Sequence, residues 1–164
     1  MPDLFAQPYN LDATGFYFDC ADQFNQKAAD HRDSFDNLVE EYEIQFIDGD
    51  DVEYQLFDAF AVDQANLQRY FNAVTNLDEQ DKIALIAMSE CGYDVDDETD
   101  TQDVELHYAD SFRTLAMQFV DEGMYGEIPN AISHYIDYEA IARDLEIEHG
   151  QVQVGGQNIV YRCP

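Results

Sequence analysis

Leu38-Val39-Glu40-Glu41-Tyr42-Glu43-Ile44-Gln45-Phe46-Ile47-Asp48-Gly49 reads with period two. Leu38, Glu40, Tyr42, Ile44 and Phe46 share one face, and Glu41, Glu43 and Gln45 share the other. That is the side-chain period of a strand. It predicts a half-exposed strand over 38–47 with an acidic outer face, ended by the turn pair Asp48-Gly49. The rhythm then changes: Tyr54, Phe57 and Phe60 recur at helical spacing, which predicts a short helix over 51–60. Strand beside helix places the fold in the α+β class. Because acids alternate with core-forming residues, the charge belongs to a folded surface and not to a detachable tail.

The same reading extends in both directions. Thr14-Gly15-Phe16-Tyr17-Phe18 predicts a short strand, and Asp19 a cap for a helix over about 20–36 carrying Phe24, Ala28, His31 and Phe35. Asp63 is expected to cap a helix with Leu67, Tyr70, Phe71 and Val74. Asp78, with Asp81 three residues on, is expected to cap the next, which ends at Gly92. Residues 93–103 read as an acidic loop. A strand over 104–108, a helix over 111–122 and a short helical stretch from Pro129 follow. A helix over 137–147 is capped by Asp137, with Ile141 and Leu145 buried and Arg143 paired to nearby acids. Gln151–Val154 and Gln157–Arg162 flank Gly155-Gly156, a strong hairpin signal. The expected organisation is three small domains: α/β over 1–61, helical over 62–102, and α/β over 103–164.

The charge excludes several classes of function. The 164 residues carry 36 Asp and Glu against 7 Lys and Arg, a net charge of −29. Hydrophobic residues make up 46% and aromatics 13%, too many for a disordered acidic chain. No apolar run approaches the ~20 residues of a membrane helix, and the start Met1-Pro2-Asp3-Leu4-Phe5 has no secretory pattern. Cys20, Cys91 and Cys163 form no CxxC pair and read as reduced cytoplasmic thiols. Nothing could neutralise phosphates, so nucleic acid is excluded as a partner, and an anionic membrane equally. A basic macromolecule is the natural partner. Residues 33–68 hold 11 acids and no base, and 83–112 hold 9 and no base, so the charge runs along the whole chain. At one phosphate per ~1.7 Å of duplex, 29 excess charges match roughly 50 Å of B-DNA.

Site chemistry is sparse. Asp94, Asp96, Glu98, Asp100 and Glu105 fall at positions 1, 3, 5, 7 and 12 of a calcium loop, but Thr99 stands where the turn needs Gly and a strand pattern follows. A solvated acidic loop explains the run better. His31, His107, His134 and His149, with the three cysteines, show no zinc spacing. No phosphate-binding Gly loop or GxSxG elbow is present. The reading is therefore a protein without metal, cofactor or catalysis.

Glu122-Gly123, Gly126-Glu127-Ile128-Pro129, Tyr135-Ile136-Asp137-Tyr138 and Ala142-Arg143-Asp144-Leu145 resemble the C-terminal pattern of the ArdA antirestriction proteins of plasmids, conjugative transposons and phages. Glu40-Glu41-Tyr42-Glu43-Ile44 with Asp48-Gly49 is similar to the acidic strand of that family's first domain. The first 20 residues depart from the pattern, and the chain has no Trp. The resemblance implies three small domains in a curved rod that dimerises through the C-terminal domain. It implies a DNA mimic that occupies the DNA-binding groove of type I restriction-modification enzymes in the cytoplasm of a bacterial host. The expected mimic surface is Asp48, Asp50, Asp51, Glu53, Asp94, Asp96, Asp97, Glu98 and Asp100. To these are added Glu122, Glu127, Asp137, Glu139, Asp144 and Glu146. On residues alone, a mimic aimed at a CRISPR effector or a repressor, or a salt-adapted acidic binding protein, fits as well.

Overall fold

The computed structural model describes all residues, Met1–Pro164. The chain is mixed helix and sheet, and it divides into two compact units, Met1–Asp100 and Thr101–Pro164. The first covers the segment expected as a domain over 1–61 and all but the last two residues of the one expected over 62–102.

In the first unit, β1 (Asp3–Pro8) lies between β2 (Phe16–Phe18) and β3 (Tyr42–Asp48) in an antiparallel sheet. The register sets Leu4 against Phe18 and Phe46, and Ala6 against Phe16 and Ile44. Leu4, Ala6, Phe18, Tyr42 and Ile44 are buried as a result. Glu43 is exposed on the other face, as the alternation predicts. Three helices, α2 (Asp51–Ala59), α3 (Leu67–Asn76) and α4 (Glu79–Glu90), pack together, and α1 (Ala21–Ala29) packs against β2 and α3. Sheet and helices share one aromatic core: the Phe18 and Phe71 rings lie 6.3 Å apart, and Phe46 and Phe57 5.7 Å.

Several helix ends follow the expected chemistry. Asp78 accepts from the Asp81 N–H at 2.9 Å, and Asp50, not among the expected caps, closes a capping box with Glu53. Gly92, at φ +86, takes the left-handed stop after α4.

Four elements differ from expectation. The central strand β1 was not foreseen. The strand expected over 38–47 begins only at Tyr42. The helix expected over 20–36 ends at Ala29, and its N-cap is Cys20 rather than Asp19. Asp63 accepts from the Ala65 and Asn66 N–H groups in a turn, and α3 starts after Asn66. The early end of α1 has a local cause: the Asp33 carboxylate accepts from the backbone N–H groups of Phe35 and Asn37 and from the Asn10 and Asn37 amides. A side chain that offers the backbone this alternative competes with helix. The Asn37 backbone bond is the largest of the effects that hold the Asp33 pKa at about 2. Protonation therefore weakens the 30–38 loop only as pH falls below the ordinary carboxylate range and through about 2. An NMR pH titration is expected to place the Asp33 midpoint there, and Asp33→Asn to broaden the amides of Phe35 and Asn37.

In the second unit, β6 (Gln157–Arg162) is the centre of an antiparallel sheet, flanked by β4 (Glu105–Tyr108) and β5 (Gly150–Val154). Gly155 and Gly156 both take positive φ and turn the chain between β5 and β6, as expected for a two-residue hairpin. Two helices, α5 (Phe112–Asp121) and α6 (Tyr138–Glu148), pack on each other. Their core is Ala109, Leu115, Ala116, Phe119, Leu145 and Val160, with Phe112, Tyr138 and Ile141 against it. Asp137 caps α6 through the Ala140 N–H at 3.0 Å. Leu145 is buried as expected and Ile141 half-buried. After Pro129 a 3-10 turn forms over Ser133–Tyr135. Arg143 is exposed and makes no ion pair, contrary to the expected pairing with nearby acids; Glu139, one turn before it, pairs instead with Arg113 at 2.8 Å.

Candidate anionic surface

No charged side chain is buried in either unit. All the carboxylates therefore stand at the surface, while the cores are apolar and aromatic. The few bases do little to cancel them. Lys82 donates to the Val74 carbonyl and Lys27 to the Tyr17 carbonyl, so both act as tethers for the backbone. Arg32 meets Asp36, and Arg113 meets Glu139 while its guanidinium lies 5.9 Å from the Tyr138 ring centroid.

The expected surface residues fall into distinct situations. Asp48, Asp51, Asp94, Glu122, Glu127, Asp144 and Glu146 are exposed, and no cation in the chain meets their carboxylates. Asp50 and Asp137 are exposed but each uses one oxygen to cap a helix, where the positive end of the helix dipole stabilises the anion. Asp100 is exposed at the end of the first unit. Glu139 is exposed and paired with Arg113. Glu53 is half-buried, bonded to the N-terminal amine at 3.2 Å and to the Asp50 N–H at 3.1 Å. Its carboxylate holds the fold together.

The acidic run at 94–100 is not simply solvated. It folds around Arg69, whose Nη1 lies 2.6 Å from Asp96, 3.2 Å from Glu98 and 3.4 Å from Asp97. Asn72 adds a bond to Asp97 at 2.9 Å. Thr99 Oγ1 accepts from the Asp96 N–H, and Asp96 Oδ1 accepts from Thr99 Oγ1 and from the Glu98 N–H. Asp96 foremost, then Glu98 and Asp97, raise the Arg69 pKa further, so the cation is permanent. Two of the residues at calcium-loop positions, Asp96 and Glu98, thus meet a guanidinium. Sequence reading did not single out Arg69; its partners are 27 to 29 residues away and no periodicity connects them.

On α6, a rotation of ~100° per residue separates the acids into two rows flanking the exposed side. Glu139 and Glu146 share one flank, about 10 Å apart along the axis at ~1.5 Å per residue. Asp144 and Glu148 share the other. Arg143 and Ile147 lie between them, both exposed.

A family model described as antirestriction protein (ArdA) matches residues 13–158. A comparison with curated proteins returns no match. No helix is long and apolar enough to cross a membrane. The model spans both units, including β3, the loop organised by Arg69 and the two acid rows of α6; this chain belongs to the ArdA family of antirestriction proteins.

Proposed function

We propose that this protein acts as a DNA mimic, occupying the DNA-binding groove of type I restriction-modification enzymes and blocking restriction and modification together. Membership of the family implies antirestriction activity in general terms; the mimicry and the type I target go beyond it. One observation carries it: the chain has 36 acidic residues against seven Lys and Arg, and none of the acids is buried in the cores of the fold. Self-repulsion of that size opposes folding. A stable fold that keeps such a surface points to a use for it.

The mechanism is competition without chemistry. A groove built for DNA gains affinity by releasing the counterions condensed on phosphates. Pre-fixed carboxylates offer it a comparable attraction and fast, steered association. Selectivity then comes from the spacing and bend of the array, since one exposed ion pair contributes only ~0–1 kcal/mol. The proposal includes a curved rod of three small domains that dimerises through the C-terminal domain and works in the bacterial cytoplasm.

The deciding experiment is displacement of a labelled duplex from a purified type I enzyme. The protein is expected to displace the duplex, with an apparent affinity that falls roughly 10-fold or more between low and physiological salt. Absence of displacement, or displacement indifferent to salt, would remove the mimic reading.

A further inference from the structure

The second unit gathers three side chains that the charge argument does not use. Glu105 and His107 are alternate residues of β4, so they project from the same face of the sheet. His149 follows α6 directly and leads into β5. Each of the three offers one ligand atom, and these atoms lie within 4.8 Å of one another.

We infer that Glu105, His107 and His149 form a binding site for a first-row divalent transition-metal ion, for which Zn²⁺ is the probe. His107 Nε2 is fully covered and has no hydrogen-bond partner; its nearest charged neighbour is Glu105 Oε2 at 3.8 Å. A buried nitrogen left without a partner is unfavourable, and a metal ion supplies one. The His149 Nδ1 lies 3.0 Å from the Leu145 carbonyl. A carbonyl only accepts, so the proton sits on Nδ1 and Nε2 carries the lone pair. A backbone carbonyl holding the second ring nitrogen is the usual support for a metal-bound imidazole. Glu105 is supported in the same way: Arg162 holds Oε1 and leaves Oε2 beside His107.

The donor set fits the ion. Two imidazole nitrogens and one carboxylate oxygen suit Zn²⁺ and its neighbours, and suit Ca²⁺ or Mg²⁺ poorly. Bonds of ~2.0–2.1 Å in a tetrahedral shell put ligand atoms roughly 3.4 Å apart, so modest side-chain rotations close the site. Three protein ligands leave a fourth position for water. The ion would tie β4 to the end of α6 and to the start of β5.

The test uses the full chain titrated with Zn²⁺ in high KCl and excess Mg²⁺, which suppress diffuse binding to the many carboxylates. One Zn²⁺ per chain is expected to bind. His107→Gln and His149→Gln are each expected to weaken binding roughly 100-fold with the circular dichroism spectrum unchanged, and Asp144→Asn with Glu146→Gln to leave it intact. Co²⁺ is expected to give the visible absorption of a low-coordinate nitrogen-containing shell. If His107→Gln unfolds the unit, His149→Gln decides alone. No saturable site under these conditions, or histidine variants that bind like the parent, would overturn the inference. The readout is metal binding and does not depend on the DNA-mimic reading.

Discussion

Neutralising seven exposed carboxylates together is expected to weaken inhibition of a type I enzyme by about 100-fold while leaving the protein as stable as before, or more so. The variant is Asp48→Asn, Asp51→Asn, Asp94→Asn, Glu122→Gln, Glu127→Gln, Asp144→Asn and Glu146→Gln. None of these side chains meets a cation of the chain, and none caps a helix through its carboxylate. Each exposed ion pair with a basic groove contributes ~0–1 kcal/mol. Seven at a mid-range value give about 3 kcal/mol, and ~1.4 kcal/mol is tenfold. Any one substitution alone is expected to cost less than about fivefold.

Stability moves the other way because the net charge drops by seven from −29, which relieves self-repulsion. The paired measurement is inhibition against melting temperature. Lost inhibition with a held or raised melting temperature supports a distributed anionic surface. A single Asp→Asn change that abolished inhibition would instead point to a discrete site and sink the distributed mechanism. Arg69→Ala is the wrong probe, since it frees three carboxylates from their counter-ion and disturbs the loop over 94–100 at the same time.

What the sequence revealed about fold and site was what local chemistry controls. Asp78 and Asp137 cap their helices because the cap and its target N–H lie within three residues. Gly155-Gly156 turns a hairpin for an equally local reason. β1 escaped because its inward residues are Leu4, Ala6 and Pro8, a weak alternation next to the chain start, and it becomes a strand only by pairing on both sides. The overlong α1 came from His31 and Phe35 falling at helical spacing, whereas Asp33 had already taken the backbone amides of Phe35 and Asn37. The anionic character of the site was plain from composition. Which acids are spoken for was not, because Arg69, Arg113 and Arg162 choose partners through tertiary structure. The same holds for His149 meeting Glu105 and His107, where the i, i+2 spacing on β4 was the one signal present.

Tyr70→Ala is expected to destabilise the first unit by about 3–5 kcal/mol, a large part of the ~5–15 kcal/mol typical of a domain. Tyr70 is completely buried on α3. Its ring meets Phe57 edge-on at 5.6 Å, Phe60 at 6.5 Å and Phe71 at 5.4 Å. Its hydroxyl donates to the Glu53 carbonyl of α2 at 3.0 Å. Burial above all, with Glu53 and Asp50 adding to it, pushes the phenol pKa far up, so the hydroxyl remains a donor at every working pH. Tyr70→Phe removes that bond alone and is expected to cost about 1 kcal/mol. The ring therefore matters more than the hydroxyl. Because Tyr70 joins residues on either side of the expected 61/62 boundary, hydrogen exchange in Tyr70→Ala separates two outcomes. If residues 1–100 unfold cooperatively, the amides of β1 and β3 lose protection together with those of α3 and α4. If 62–102 is an independent domain, the strands keep their protection while the helices lose theirs. The amides of β5 and β6, in the other compact unit, serve as the internal reference and are expected to keep theirs.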